Sequence, residues 1–147
     1  MTDIRRKAIE GLAAGDRFSI SRTFTEDDVN RFADITRDYN PVHFDERFTA
    51  VKGYNGPVCH GLLVAAMISE IGGQIGWLAS EMRFNYKKPV YFGDTITCDF
   101  EITEVDEKGR AIASAEYTNQ DGVVVIQGVL KGILPGSPER EIMQRLV

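Results

Sequence analysis

The chain has 147 residues, a formal net charge of −5 at pH 7 and 43% hydrophobic residues, with only two cysteines and two histidines. That length suffices for one domain with its own core, and a pI near 5.1 argues against nucleic acid or an anionic membrane surface as the main partner. Cys59 and Cys98 show no CxxC or Cys/His ligand spacing, so no metal site is expected and a reducing cytoplasm is the expected compartment.

Residues 1–15 mix Arg5, Arg6 and Lys7 with Asp3 and Glu10 and lack a long apolar core, which is not the pattern of a signal or transit peptide. No repeat or linker divides the chain, and 1–147 reads as one domain. Residues 17–24 alternate as a strand, with Phe18, Ile20 and Phe24 on its apolar side. Thr25 then resembles an N-cap, with Glu26, Asp27 and Asp28 at the positive helix end, and Val29, Phe32, Ala33 and Thr36 set helical spacing over residues 26–37. Pro41 stops this helix and pushes Asn40 towards extended geometry. Residues 45–59 are loop-rich, with Gly53, Gly56 and Pro57.

A second helix is expected over residues 61–77. Leu62 to Ile68 and Ile71 leave it almost no polar face, so it should be buried nearly all round, with Gly72, Gly73 and Gly76 weakening its last turns. The run 62–68 is too short to span a bilayer. The rest is β. Met82, Phe84 and Tyr86 alternate with Arg83, Asn85 and Lys87; residues 89–94 bend; residues 95–103 alternate strictly, with Ile96, Cys98, Phe100 and Ile102 on one face. Turn signals at 107–109 and 120–122 bound strands at 111–118 and 123–134, and the tail 135–147 has room for a short helix. A buried helix ahead of a long antiparallel meander implies an α+β fold, its sheet wrapped around that helix. Such a sheet leaves edges open, so a homodimer is the default expectation.

Any histidine chemistry must use His43 or His60. Asp38 lies at the negative end of its helix, which makes its carboxylate a better base than a solvated one, and His43 follows across an Asn-Pro turn. Two readings of the pair stay open: proton-transfer groups facing one pocket, or a turn-capping aspartate beside a satisfied histidine. Gly61, opening a buried helix, offers free amides to a developing oxyanion, or simply permits a sharp turn. Ser69 either bonds back along the helix or faces a pocket, and Glu70 takes either a pocket or the one wet edge. Cys59 next to His60 reads as inert packing, and His60 as a residue that shapes the loop. Arg83, Lys87 and Lys88 suit an anionic ligand tail, or merely solvate a strand.

Taken together these residues resemble the MaoC-like, R-specific enoyl-CoA hydratase family, also called hydratase 2, of the hot-dog fold. The resemblance rests on Phe32-Ala33-Asp34-Ile35-Thr36-Arg37-Asp38-Tyr39-Asn40-Pro41-Val42-His43 with Ala50 beyond. Pro57-Val58-Cys59-His60-Gly61-Leu62-Leu63 and Lys88-Pro89-Val90-Tyr91-Phe92-Gly93-Asp94 follow in the same order, so that residues 17–134 form the core and 135–147 a tail. Arg37 stands where that family's motif often has glycine. The resemblance implies that Asp38 takes a proton from water attacking C3 of a trans-2-enoyl thioester, that His43 holds the water and helps deliver a proton to C2, that the Gly61 amide receives the thioester oxygen, and that Ser69 and Asn40 support the site. It implies no cofactor beyond the CoA or acyl-carrier-protein handle of the substrate. His60, Arg83, Lys87 and Lys88 are the weaker substrate-binding candidates. The rivals are a 3-hydroxyacyl-acyl-carrier-protein dehydratase, a thioesterase working through Glu70, and a non-catalytic acyl-CoA sensor.

Overall fold

A computed structural model describes residues 1–146. In chain order the elements are α1 (Asp3–Glu10), β1 (Arg17–Thr23), α2 (Glu26–Thr36), a 3-10 turn (Pro41–His43), α3 (Glu46–Val51), α4 (Gly61–Ala65), α5 (Ile68–Ile75), β2 (Leu78–Tyr86), β3 (Thr95–Val105), β4 (Arg110–Thr118), β5 (Val124–Ile133) and α6 (Ser137–Arg145). The five strands form one antiparallel sheet in the order β1-β3-β4-β5-β2.

Strict alternation on β3 and β4 turns Ile96, Cys98, Phe100 and Ile102, and Ala111, Ala113, Ala115 and Tyr117, onto one buried face. Val64, Ile68, Ile71 and Ile75 of α4 and α5 join them in one core. Ile71 and Ile75 are fully enclosed, and each contributes about 2 kcal/mol by burial. The small side chains of β4 let the helix approach the middle of the sheet. On β5 the glycines serve aromatic neighbours: a Cβ at Gly128 would meet the Phe84 ring at 2.9 Å, and one at Gly132 would meet Trp77 Nε1 at 2.3 Å.

The expected helix over 61–77 is interrupted. α4 ends at Ala65 and α5 begins at Ile68, with three-residue hydrogen bonds from Met67 N–H to Val64 O and from Ser69 N–H to Ala66 O across the join. The Tyr117 hydroxyl donates to the Ala65 carbonyl at 2.7 Å, so a backbone acceptor at the break is satisfied from the sheet. Nor is this helix buried all round. Leu62, Ala66, Ser69 and Glu70 are exposed, because the sheet of one chain covers only one side. Strand β2, next to that open side, is exposed along nearly its whole length.

Two helices went unread in the sequence. α1, capped by the Thr2 hydroxyl on Arg5 N–H, packs on α5, where the Arg5 guanidinium donates to the Gly73 carbonyl. α3 is capped by Asp45, whose carboxylate accepts from the amides of Arg47 and Phe48. By contrast α2 has the expected Thr25 cap, completed as a capping box by Asp28. No helix of the described residues is long and apolar enough to cross a membrane.

Candidate active site

α2 ends on Arg37, the one non-glycine residue with positive φ among the described residues (φ 60°, ψ 26°). The left-handed turn is a natural place for glycine, which accounts for the glycine often found there in the resembling motif. It throws Asp38 out of the helix line. Asp38 Oδ1 then accepts from Asn40 N–H at 3.2 Å, and Asn40 Oδ1 from Val42 N–H at 3.1 Å, so successive side-chain caps fold residues 38–43 into a compact turn. Pro41 opens the 3-10 turn, and His43 N–H closes it on the Asn40 carbonyl.

This turn brings Asp38 Oδ2 to 3.7 Å from His43 Nε2. His43 is only 7% exposed, and its Nδ1–H donates to the Val58 carbonyl at 2.7 Å. That bond fixes the tautomer and leaves the Nε2 lone pair facing the carboxylate. Burial pushes the His43 pKa below its ordinary 6.5; the Val58 bond and the Asp38 charge pull the other way, and His60 adds to the lowering. Asp38 caps a turn and His43 is hydrogen-bonded, yet the remaining acceptor atom of each faces open space.

That space is a cavity of about 460 Å³, also lined by Tyr54, His60, Gly61, Tyr86, Lys87 and Lys88. The first bond of α4 runs from Val64 N–H to the His60 carbonyl, so the helix makes no use of the amides of Gly61, Leu62 and Leu63. The Tyr86 ring lies directly on Gly61, where a Cβ would come within 2.6 Å of Tyr86 Cε1. His60 is 2% exposed; its Nε2–H donates to the Asp38 carbonyl at 3.0 Å, and its ring stacks on His43 at 3.7 Å between centroids, tilted 30°. Ligand-type atoms of Asp38, His43 and His60 lie within 4.8 Å of one another. His60 Nε2 is spent on the Asp38 carbonyl and His43 Nδ1 on the Val58 carbonyl, which leaves one ring nitrogen of each histidine beside the Asp38 carboxylate.

The remaining candidates separate. Asn40 shapes the turn, and Lys87 and Lys88 stand at the cavity, in no ion pair among the described residues. Arg83 does not line it; alternation along β2 puts it on the opposite face from Tyr86. Ser69 lies further along the helix, in a smaller apolar hollow of about 200 Å³ with Gly72, Trp77 and Met82. Glu70 is exposed and lines neither space. Cys59 is buried and its thiol is pushed up to about 12 by that burial, as inert packing requires. Tyr54 and Tyr86 are wall residues that the sequence reading passed over. Alternation with Met82 and Phe84 already put Tyr86 on the helix-facing side of its strand, whereas nothing local marks Tyr54. A larger hollow of about 740 Å³ crosses the outer face of the sheet, lined by strand residues such as Arg17, Asp99, Glu101 and Glu116, far from either histidine.

Comparison with known proteins bears on this geometry. The family model described as "MaoC like domain" matches residues 13–124. The (R)-specific enoyl-CoA hydratase of Aeromonas caviae is 29% identical over 124 residues, covering 81% of this chain and 92% of that protein. The mitochondrial 3-hydroxyacyl-[acyl-carrier-protein] dehydratase FERN of Solanum lycopersicum is 31% identical over 129 residues, covering 84% and 78%. Among solved structures, the (R)-hydratase from A. caviae involved in PHA biosynthesis superposes with a TM-score of 0.79 at 30% identity, over 86% of this chain and 99% of that one. With the family model spanning most of the chain and the sheet-wrapped helix matching these neighbours, the chain belongs to the MaoC-like family, as a hydro-lyase of hot-dog fold.

Proposed function

We propose that the chain catalyses the reversible addition of water to trans-2-enoyl-CoA, giving (R)-3-hydroxyacyl-CoA. The observation that carries this is the pair of acceptors, Asp38 Oδ2 and His43 Nε2, facing each other 3.7 Å apart across the cavity wall. That gap is too long for a direct hydrogen bond and suits one water donating a hydrogen to each. Such a water has its oxygen lone pairs free to attack C3. Its hydroxyl forms the new C3–O bond, the proton it loses enters the Asp38–His43 pair, and a proton is returned from His43 Nε2 to C2, so that one water is added in all. The C2 carbanion is delocalised onto the thioester oxygen, which the Gly61 amide receives at the start of α4. Likeness to the A. caviae hydratase supports the (R) outcome.

Lys87 and Lys88 at the cavity suit the phosphates of CoA or of a carrier protein's phosphopantetheine. The likeness to the tomato dehydratase favours the carrier-protein thioester as a second reading, with the same chemistry run towards the alkene. The thioesterase reading loses its nucleophile, since Glu70 lies outside the cavity. The proposal includes a second copy of the chain. Leu62, Leu78, Met82 and Tyr86 expose apolar surface beside the unpaired edge of β2, and pairing two such edges would cover it.

Loss of enoyl absorbance from crotonyl-CoA tests the activity. Wild type and Glu70→Gln should hydrate it without releasing thiol, and Asp38→Asn and His43→Gln should each lose about 100-fold or more in kcat. Thiol release abolished only by Glu70→Gln overturns the proposal. Light scattering on the purified chain tests the dimer.

A further inference from the structure

We propose that His60 is a positioning residue that holds the two acid–base groups in register, gripping the Asp38 main chain through Nε2 and the His43 ring through its face. This rests on the hydratase reading above.

The hydrogen bonds of Asp38 single out the first grip. Its amide reaches Thr36 and its Oδ1 accepts from Asn40, both within two residues. The Asp38 carbonyl alone is tied to a distant part of the chain, to His60, 22 residues on. Val58 ties the far end of the turn, through its N–H to the Val42 carbonyl and its carbonyl to His43 Nδ1, so without the His60 bond only the Asp38 end, next to the strained Arg37, is left on local caps. The second grip is the stack. At 3.7 Å between centroids the two imidazoles are in van der Waals contact, so His43 cannot tilt towards the helix without displacing His60. Phe32 packs against the His60 ring at 4.9 Å, and Phe44 meets both imidazoles nearly edge-on at 6.2 Å. The ring is therefore held from the α2 side while it holds His43.

Donation by Nε2–H leaves His60 Nδ1 as a buried lone pair with no partner among the described residues. The stack supplies what the bonds do not. It also couples the two rings electrostatically, since charge on the neighbouring imidazole adds to the lowering of the His43 pKa that burial begins. His60 is at the same time the N-cap of α4, so its backbone leads straight into the Gly61 amide. Base, imidazole and oxyanion donor are thus all referenced to one ring that lies behind them.

Two substitutions separate the grips. His60→Gln keeps an N–H for the Asp38 carbonyl and loses the aromatic face; His60→Phe keeps a face and loses the donor. Both leave His43 as the sole imidazole of the chain, which makes its NMR titration unambiguous. The other titratable groups facing that cavity are Asp38, Tyr54, Cys59, Tyr86, Lys87 and Lys88, and neither variant replaces them. Expected for His60→Phe is a kcat for crotonyl-CoA hydration lower by roughly 10- to 100-fold with KM changed less than about threefold, as for a group that orients catalysts without holding substrate. His60→Gln should recover part of that kcat. In both variants the His43 titration midpoint should rise. A kcat within about threefold of wild type in His60→Phe, or a His43 midpoint unmoved in both variants, overturns the proposal. Thermal melts establish folding. Should His60→Phe not fold, His60→Gln decides: a lowered kcat together with a raised His43 midpoint supports the proposal, and a kcat within about threefold of wild type or an unmoved midpoint refutes it. If wild type hydrates no enoyl thioester, the functional reading fails separately, and the His43 titration still decides whether His60 acts on its neighbour.

Discussion

Gly61→Ala tests the close approach on which the oxyanion assignment depends. The added methyl carbon would lie 2.6 Å from Tyr86 Cε1 and 2.9 Å from Cδ1. Carbon atoms settle at about 3.5–4.0 Å, so the ring must retreat by roughly 1 Å. Tyr86 is 51% exposed on an edge strand and is free to do so. The stability cost therefore falls at the low end of the overpacking range, about 1 kcal/mol. Activity should suffer more. A thioester displaced by about the same 1 Å from the Gly61 amide and from the Asp38–His43 pair loses on the order of 100-fold in kcat/KM, about 2.7 kcal/mol of transition-state stabilisation. The assay is crotonyl-CoA hydration alongside urea unfolding, with Gly61→Ala and Tyr86→Ala made singly and together. If the clash is the cause, the double variant recovers roughly tenfold over Gly61→Ala. Wild-type activity in Gly61→Ala, or a double variant that is simply the product of the two singles, refutes the reasoning.

Arg37→Gly should stabilise the fold by about 1 kcal/mol, raising Tm by ~2–4 °C, because a left-handed arginine is replaced by the residue with no penalty there; calorimetry checks it. Tyr117→Phe should cost about 2 kcal/mol in urea unfolding, since it strips the buried Ala65 carbonyl of its donor. His43 gives stability a pH dependence of known sign: its folded pKa lies below the ordinary 6.5, so the unfolded chain binds the extra proton first. Its contribution is complete above 6.5 and is lost as pH falls through the folded value, and His43→Gln should flatten that part of a stability–pH curve.

Much of the fold was legible because its period was. Strict alternation on β3 and β4, and the Thr25 cap with carboxylates behind it, are local signals whose local structure is what formed. The interruption at Ala66 and Met67 was not, because both residues are good helix formers and the donor that satisfies the Ala65 carbonyl at the break, the Tyr117 hydroxyl, lies more than fifty positions away. α1 was missed because its apolar stripe is short: only Ile4, Ala8 and Ile9 pack on the core, among the charges of Asp3, Arg5, Arg6, Lys7 and Glu10. In the candidate site, Asp38, His43 and Gly61 could be picked out by residue type and spacing. The stack of His60 on His43 could not, since residues 17 positions apart carry no sign in sequence that their rings touch. Ser69 illustrates the converse. Helical spacing put it on the same helix as Gly61, but the structure places it in the second segment, beyond the break, where it lines the neighbouring hollow.

That interruption also divides the labour of the molecule. α4 is a five-residue segment whose first amides are unclaimed by the helix and whose start lines the cavity, while α5, with Ile68, Ile71 and Ile75 sunk in the core and α1 laid over it, is ballast. A continuous rod would make every adjustment of packing also a change of aim. With a joint between the halves, clamped at Ala65 from the sheet, changes at the far end can alter the depth of the hollow beside Ser69, Gly72 and Trp77 without redirecting the Gly61 amide. On the proposed hydratase reading, breadth of substrate and constancy of chemistry could then vary separately in one short chain.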